Sequence, residues 1–485
     1  MKRSTRENRL TAGDLLALSR HFSKDQDGSI TIFACFMVVI MLMIGGIGVD
    51  MMRHEMERTR LQAVSDRAVL AAADLDQTLD PEAVVRDYFA KSGMAEYVSA
   101  VNVDEGLNYR TVTVDATNTI KTQFMDTLGV SDLTVPARAK AEEKIQKVEI
   151  SLVVDISGSM KDNGKMQNLK NAAGVFVDTV LKPENENLIS VSLIPYSEHV
   201  NAGPAIFNQL NVNRVHPWSH CIEIPDSEFD NLRFNRSRTY DQMQHFQWNT
   251  YSIESGSYQN TLYDTVCPRN GDRNGDTGED YEAITAFSQN AYALKSQINK
   301  FKPRAGTSIF LGMKWAVGML DPDFRPIISN LAGMGKADPA FSNRPSALDD
   351  PETLKTVILM TDGQNDRSMR IPDWYYDSDS EIVHWSRYNL QYYMNRYVNY
   401  YYRSNFYYEK YNASQGDRLL SNICDAAKQA RIVIWSIGFE VTDHGANVMR
   451  DCASSPSHFF RVEGVEIEDA FEAIARQINQ LRLTQ

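Results

Sequence analysis

Five side chains in this sequence offer oxygen and nothing else to a ligand. They are Asp155, Ser157 and Ser159 in the run DISGS, Thr307 in RAGTSIFLG, and Asp362 in LMTDGQN. Two carboxylates and three hydroxyls, without nitrogen or sulfur, select a hard divalent cation; Mg2+ is the first expectation, with Mn2+ or Ca2+ as alternatives. Such a set leaves positions for water and for one incoming oxygen, the opening that an acidic side chain of a partner needs. Acids and hydroxyls also cap turns and helices, so the reading depends on where the chain places them. Catalytic signatures are missing: there is no H-E-x-x-H, G-x-S-x-G, P-loop or G-x-G-x-x-G. Ser157 and Ser159 have no histidine base close in sequence, so the chain is read as a binding protein and not as an enzyme.

Elements able to position these residues follow from Lys147 onward. VEISLVVD is a continuous apolar strand that ends on Asp155. ISVSLIPYS, KTVILMTDG, RIVIWSIGFE and the shorter HFFRVE read as further strands. Helical patterns lie between them: MQNLKNAAGVFVDTVL, a stretch around Phe287–Phe301, IFLGMKWAVGML, SNICDAAKQA and the terminal EDAFEAIARQINQLRL. Apolar strands alternating with helices predict an α/β fold, a doubly wound and mostly parallel sheet covered on both faces. Ligands of such sheets bind at the carboxyl ends of the strands. Asp155 and Asp362 both stand at that edge, and Thr307 opens a helix.

In this context the five residues resemble the metal-ion-dependent adhesion site of von Willebrand factor A (VWA) domains, a Rossmann-like fold. The resemblance implies that Asp155, Ser157, Ser159, Thr307 and Asp362 hold one divalent ion, the serines directly and the threonine and second aspartate directly or through water. It also implies that a protein partner's Glu or Asp completes the shell. A second resemblance spans nearly the whole chain. GSITIF at the start of the apolar run, LQAVSDRAVLAAADL, and the elements NICDAAKQA, DCASSPSHFFRV and DAFEAIARQI look like the TadG-like proteins of tight-adherence (Flp) pilus assembly. That likeness implies a bacterial inner-membrane protein with a periplasmic main domain, whose partners are pilus or secretion-system components. Phe33 stands where pilin-like relatives carry a glutamate.

The membrane reading has its own support. Gly28–Val49 is 22 residues without a charge, and about 20 apolar residues span the hydrocarbon core. The run is longer than a signal-peptide core, and no A-x-A site follows it. Six Lys and Arg residues lie in 1–27 against four in 50–69, which favours a cytoplasmic N-terminus. Leu61, Val64, Ala68, Ala71 and Leu75 continue a helical stripe, and its small residues permit close packing. The expected organisation is a cytoplasmic segment 1–27, a transmembrane helix 28–49, a helical stalk 50–76, a small α+β pilin-like spacer 77–146 and a VWA domain 147–485. Insertions interrupt that domain at about 199–282 and 365–415. In the spacer, YRTVTVDATNTI reads as a strand and LTVPARAKAEEK as the lead into the main domain.

Composition bounds the rest. The chain has 485 residues, 43% hydrophobic and 23% charged, with a net charge of -13. An acidic surface does not suit nucleic acid. Four cysteines follow the membrane run, and four can pair in three ways. Pairing within segments gives Cys221–Cys267 and Cys424–Cys452, which requires an oxidising compartment. The first insertion holds Asp272, Asn274 and Asp276, a candidate second metal loop. An EF-hand needs glycine and glutamate where Thr277 and Ala283 stand, so a solvated acidic turn is preferred. His216, His220, Cys221 and Cys267 are zinc ligand types, with the disulfide as the preferred reading. The second insertion carries ten tyrosines from Tyr388 to Tyr411. They form either a packed helix face or an exposed surface for a protein or glycan. The expected function is a membrane-anchored, metal-dependent protein-binding module in Flp-type pilus assembly or a related secretion system. The alternatives are a surface adhesin using the same metal site and, behind it, a metal-dependent hydrolase.

Overall fold

The computed structural model describes residues 27–484 except 75–76, 78, 107–108, 145–146, 253–256, 259, 261, 269–280 and 351. Asp272, Asn274 and Asp276 therefore lie outside the described residues. The chain separates into two compact units, Met1–Lys144 and Ile145–Gln485.

The first unit is built on one long helix, α1 (Asp27–Ala73). Its first half displays Ile30, Phe33, Phe36 and Leu42 to the surroundings, and it is long and apolar enough to cross a membrane. Its second half buries Leu61, Ala68, Val69 and Ala72. That stripe packs against α2 (Pro81–Lys91) and an antiparallel sheet of β1 (Val98–Gly106), β2 (Tyr109–Lys121) and β3 (Asp132–Lys144), in the order β1-β2-β3. Asp80 caps α2 by accepting from the Ala83 amide, and Pro81 supplies the helical φ of the first turn. Phe89, Val112, Val114, Val135 and Ala137 complete this core. The small residues of α1 thus serve close approach to α2 and a sheet. The stalk and the spacer form one packed body, and LTVPARAKAEEK is a strand paired with β2 along its length. VSAVNVDEG alternates only weakly, so its pattern does not announce strand β1.

The second unit contains β4 (Lys147–Asp155), α3 (Lys165–Val180), β5 (Ile189–Tyr196), β6 (Thr285–Ser288), α4 (Ala291–Lys300), α5 (Ile309–Leu320), β7 (Thr353–Thr361), α6 (Ala413–Gln429), β8 (Val433–Phe439), α7 (Asp443–Cys452), β9 (Phe459–Val462) and α8 (Glu466–Thr484). The sheet order is β6-β5-β4-β7-β8-β9. Every pair is parallel except β6 with β5. This is the α/β fold with a mostly parallel, doubly wound sheet that the alternation of apolar strands and helices predicts. Successive residues of β4 enter different cores: Val153 joins the face covered by α5 and α6, while Leu152 and Val154 join the face covered by α3 and α8. Burial on both faces explains why these strands read as unbroken apolar runs. Helix α5 comes very close to the sheet at Gly312, where a methyl group would sit 2.9 Å from the Tyr196 ring. The stretch around Phe287–Phe301 is not all helix. It starts as the edge strand β6 and turns helical after Asn290, whose side chain accepts from the Ala293 amide.

The two insertions share a satellite core. Cys221, Met243, Phe246 and Cys267 of the first pack with Ile371, Trp385, Leu390 and Met394 of the second. Cys221 is bonded to Cys267 within it, and Cys424 to Cys452 between α6 and α7. His216 is occupied with the Met243 carbonyl at 2.9 Å and a stacked Trp218. In the second insertion a short helix, Leu390–Tyr397, buries Leu390 and Met394 and leaves Tyr397 exposed, together with Tyr400, Tyr401 and Tyr402 beyond it.

Candidate metal centre

Strands β4 and β7 are neighbours, but the chain reaches β7 only after building β5 on the far side of β4. That reversal puts the topological switch point, where open α/β sheets bind ligands, at their carboxyl ends. Asp155 ends β4 and is fully buried. Its Oδ1 accepts from the Ser157 amide at 2.7 Å, and its Oδ2 accepts from the Thr361 hydroxyl at 2.8 Å and the Tyr196 hydroxyl at 3.3 Å. Ser157 Oγ lies 3.2 Å from Ser159 Oγ, which donates to Asp362 Oδ1 at 2.6 Å. The other Asp362 oxygen accepts from Lys165 Nζ at 3.1 Å.

Thr307 arrives from a separate stretch of chain and is fastened by backbone. Gly158 N donates to the Ala305 carbonyl at 3.0 Å, and Asp366 N donates to the Thr307 carbonyl at 2.8 Å. Asn365 Oδ1 caps α5 by accepting from the Ile309 amide at 2.8 Å. The loop after β7 therefore holds both Asp362 and the residue that fixes the start of α5. A methyl group on Gly363 would lie 3.9 Å from both the Ser159 and the Thr307 hydroxyl oxygens. The five oxygen-bearing side chains thus come from three separated segments and meet at the carboxyl edge of the sheet.

Burial, followed by the negative charge of Asp362, pushes the Asp155 carboxyl up to about 7. Burial also raises Asp362, against the hydrogen bond from Ser159 and the charge of Lys165. Lys165 is shared with Glu440, 3.7 Å away. The centre thus sets three carboxylates against one ammonium, and Asp155 itself is met only by hydroxyls and an amide. A hard divalent cation fits this donor set, because all donors are oxygen and the carboxylate pair lacks a full counter-charge. Among the described residues no group of three or more His, Cys, Asp or Glu side chains has metal-binding geometry. The centre differs in kind, with hydroxyls as most of its donors.

Four residues that shape this site lie outside the pattern of acids and serines. Tyr196 and Thr361 hold Asp155, Lys165 holds Asp362, and Asn365 ties the loops. Thr361 and Asn365 were accessible in principle, since both flank Asp362 in MTDGQN. Lys165 and Tyr196 carry no local signal.

Comparison with known proteins bears first on the other end of the chain. Residues 28–75 match the family model described as putative Flp pilus-assembly TadE/G-like. The match covers the apolar part of α1 and its continuation onto the sheet, about a tenth of the chain. No curated protein matches significantly. Among solved structures, similar ones include the vWF domain of the type V pili tip protein Mfa5 from Porphyromonas gingivalis, at 13% identity and a TM-score of 0.34, covering 70% of this chain and 97% of that one. The pilus adhesin SpaC from Lactobacillus rhamnosus GG is 12% identical with a TM-score of 0.33; the alignment covers 79% of this chain and 33% of SpaC. Proximal thread matrix protein 1 from the mussel byssus, in a form with a zinc-occupied MIDAS motif, is 13% identical with a TM-score of 0.28, covering 68% of this chain and 46% of that one. This chain spans about a third of SpaC and under half of the mussel protein.

Proposed function

We propose that the protein is a membrane-anchored VWA-type binding module. It grips a divalent cation with Asp155, Ser157, Ser159, Thr307 and Asp362 and uses that ion to recognise an acidic side chain on a component of a Flp-type pilus or a related secretion system. The observation that carries the reading is the convergence of five oxygen donors from three segments at one edge of the sheet, around a carboxylate pair that the chain neutralises only in part, through Lys165. The bound cation, Mg2+ first, supplies positive charge and an open coordination position for a carboxylate oxygen. The protein's own groups do the rest. Tyr196 and Thr361 orient Asp155, Lys165 orients Asp362, and Asn365 sets the height of Thr307. The proposed role is binding, without turnover.

The match over residues 28–75 supports the pilus assignment. The placement that goes with it is the bacterial inner membrane, one span, the N-terminus in the cytoplasm and the α/β domain in the periplasm. The two disulfide pairs accord with an oxidising compartment. A capture experiment tests this reading. Full-length protein in detergent is incubated with cell-envelope extract, with Mg2+ or with chelator, beside the Asp155→Ala variant. A pilus or secretion component retained only by the Mg2+-loaded wild type is expected. Capture indifferent to chelator and to the variant would refute the metal bridge.

A further inference from the structure

The turn between β2 and β3 lies beside the apolar end of α1. Helix and sheet run alongside each other in register: Arg53 Nη1 reaches the Lys121 carbonyl at 3.5 Å and His54 the Thr134 carbonyl at 3.0 Å. Gln62 then donates to the Arg138 carbonyl at 3.0 Å, and Arg110 to the Asp74 carbonyl at 2.6 Å. The Lys121–Asp132 end of the sheet therefore sits at the Asp50 end of the exposed apolar run, and the opposite end sits near Asp74. Beyond Lys121 and Asp132 the turn reaches further toward the run. Phe124 packs on Gly46 so closely that a methyl group there would fall 2.5 Å from its ring. Gly46 precedes Asp50 by four residues, or about 6 Å along a helix axis.

Three apolar side chains of this turn are only partly covered by the protein: Phe124 is 44% exposed, Leu128 52% and Val130 38%. The backbone beside them is prepared for a poorly hydrated place. Asp50 is 1% exposed. Its Oδ1 accepts from the Gln123 amide at 3.0 Å, and its Oδ2 accepts from the amides of Phe124 and Met125, each at 2.8 Å. Amides without partners are costly in contact with lipid, and one carboxylate at the end of the apolar run removes three of them. The paired charges of Lys121 and Asp132, 2.7 Å apart, mark where the strands leave the turn.

We propose that the turn 122–131 is a second membrane contact, which seats Phe124, Leu128 and Val130 in the interfacial layer of the bilayer that α1 crosses. The proposal rests on the spanning role of α1. Exposed Asp126 within the turn keeps it at headgroup depth, where aromatic and apolar side chains of peripheral segments commonly sit. The contact converts a single helix, free to rotate and tilt, into a two-point attachment that fixes the sheet of the first unit against the membrane plane.

Site-directed spin labels test it in the full chain carrying Cys35→Ser, reconstituted in phosphatidylcholine–phosphatidylglycerol vesicles. Labels are placed singly by Leu128→Cys, by Phe36→Cys within the span, and by Val103→Cys toward the Asp74 end. Val130→Cys repeats the turn position in case the first variant misfolds. Oxygen, which partitions into lipid, and a water-soluble nickel chelate report depth by their relative accessibility. The ratio at 128 and 130 is expected to be several-fold higher than at 103 and to stay below that at 36, as interfacial depth requires. A turn label as open to nickel as position 103, with position 36 still lipid-bound, overturns the proposal alone. An aqueous reading at position 36 overturns the span as well. Spin–spin broadening at 128, with both reagents excluded, would assign the turn to a second copy of the chain and overturn the lipid contact.

Discussion

Strands β4 and β7 bury carboxylates at both of their ends, and the two ends treat them oppositely. At the amino end Glu149 is fully buried and faces Lys355, its neighbour across the β4–β7 ladder, at 2.5 Å. Arg344 stands close enough for their charges to interact, and the Ser346 amide donates to Glu149 at 2.7 Å. At the carboxyl end, about 20 Å along the strand, Asp155 and Asp362 are matched by hydroxyls and a single lysine that Glu440 also uses. One end is neutralised by the chain and the other is left short of positive charge. Removing a charge from water is costly wherever it occurs. The amino end therefore reads as internal scaffolding, and the carboxyl end as the place for the proposed cation.

That contrast can be broken at either end. The largest effect is expected from Lys355→Met, which takes the bonded ammonium from the buried Glu149 anion, leaving it Arg344 and the Ser346 amide, and should destabilise the fold by about 3 kcal/mol. Chemical denaturation would measure it, and the loss should be the same with Mg2+ and with chelator. A metal-dependent loss would contradict the division between the ends.

Next comes acid sensitivity from His199, buried at the loop that leaves β5. Burial lowers its pKa from 6.5 to about 4. The unfolded chain therefore takes up the proton first as pH falls. Stability should decline from pH 6.5 toward 4, by on the order of 3 kcal/mol at about 1.4 kcal/mol per unit. Denaturation midpoints across that range should fall less steeply in His199→Gln. Equal slopes would remove His199 as the cause.

A slightly smaller effect is expected at the proposed cation site itself. Saturation with Mg2+ at about a hundred times its dissociation constant should stabilise the wild type by ~2.7 kcal/mol. Asp155→Ala should abolish that gain while costing little in chelator, and a calorimetric melt distinguishes these outcomes. The smallest effect is expected from Thr307→Val, which deletes one of five donors. It should weaken the ion about tenfold, or ~1.4 kcal/mol, with the chelated stability unchanged.

The sequence carries the proposed cation site and hides the scaffold for a physical reason. Asp155, Ser157, Ser159 and Asp362 lie in two short runs after apolar strands, so topology alone puts them at one edge. Thr307 follows the same logic at the start of α5. Glu149 and Lys355 are single charges inside apolar strands, and only the parallel register brings them together. The same limit applies to Lys165 and Tyr196, which act across separations that no local pattern encodes. Strand β6 escaped because four residues beside an amphipathic helix carry too little alternation. In the first unit the small-residue stripe of α1 was legible, but its partners were not, since alanine and valine fit a helix or a sheet equally well.

In the proposed function, the carboxyl ends of β4 and β7 hold one divalent cation. Titration calorimetry of Mn2+ into chelator-treated full-length protein in detergent tests it most directly, with Asp155→Ala and Lys355→Met beside it. One ion per chain is expected in the wild type, none in Asp155→Ala, and an undiminished site in whatever fraction of Lys355→Met is folded. No binding to the folded wild type, or equal binding to Asp155→Ala, would contradict it.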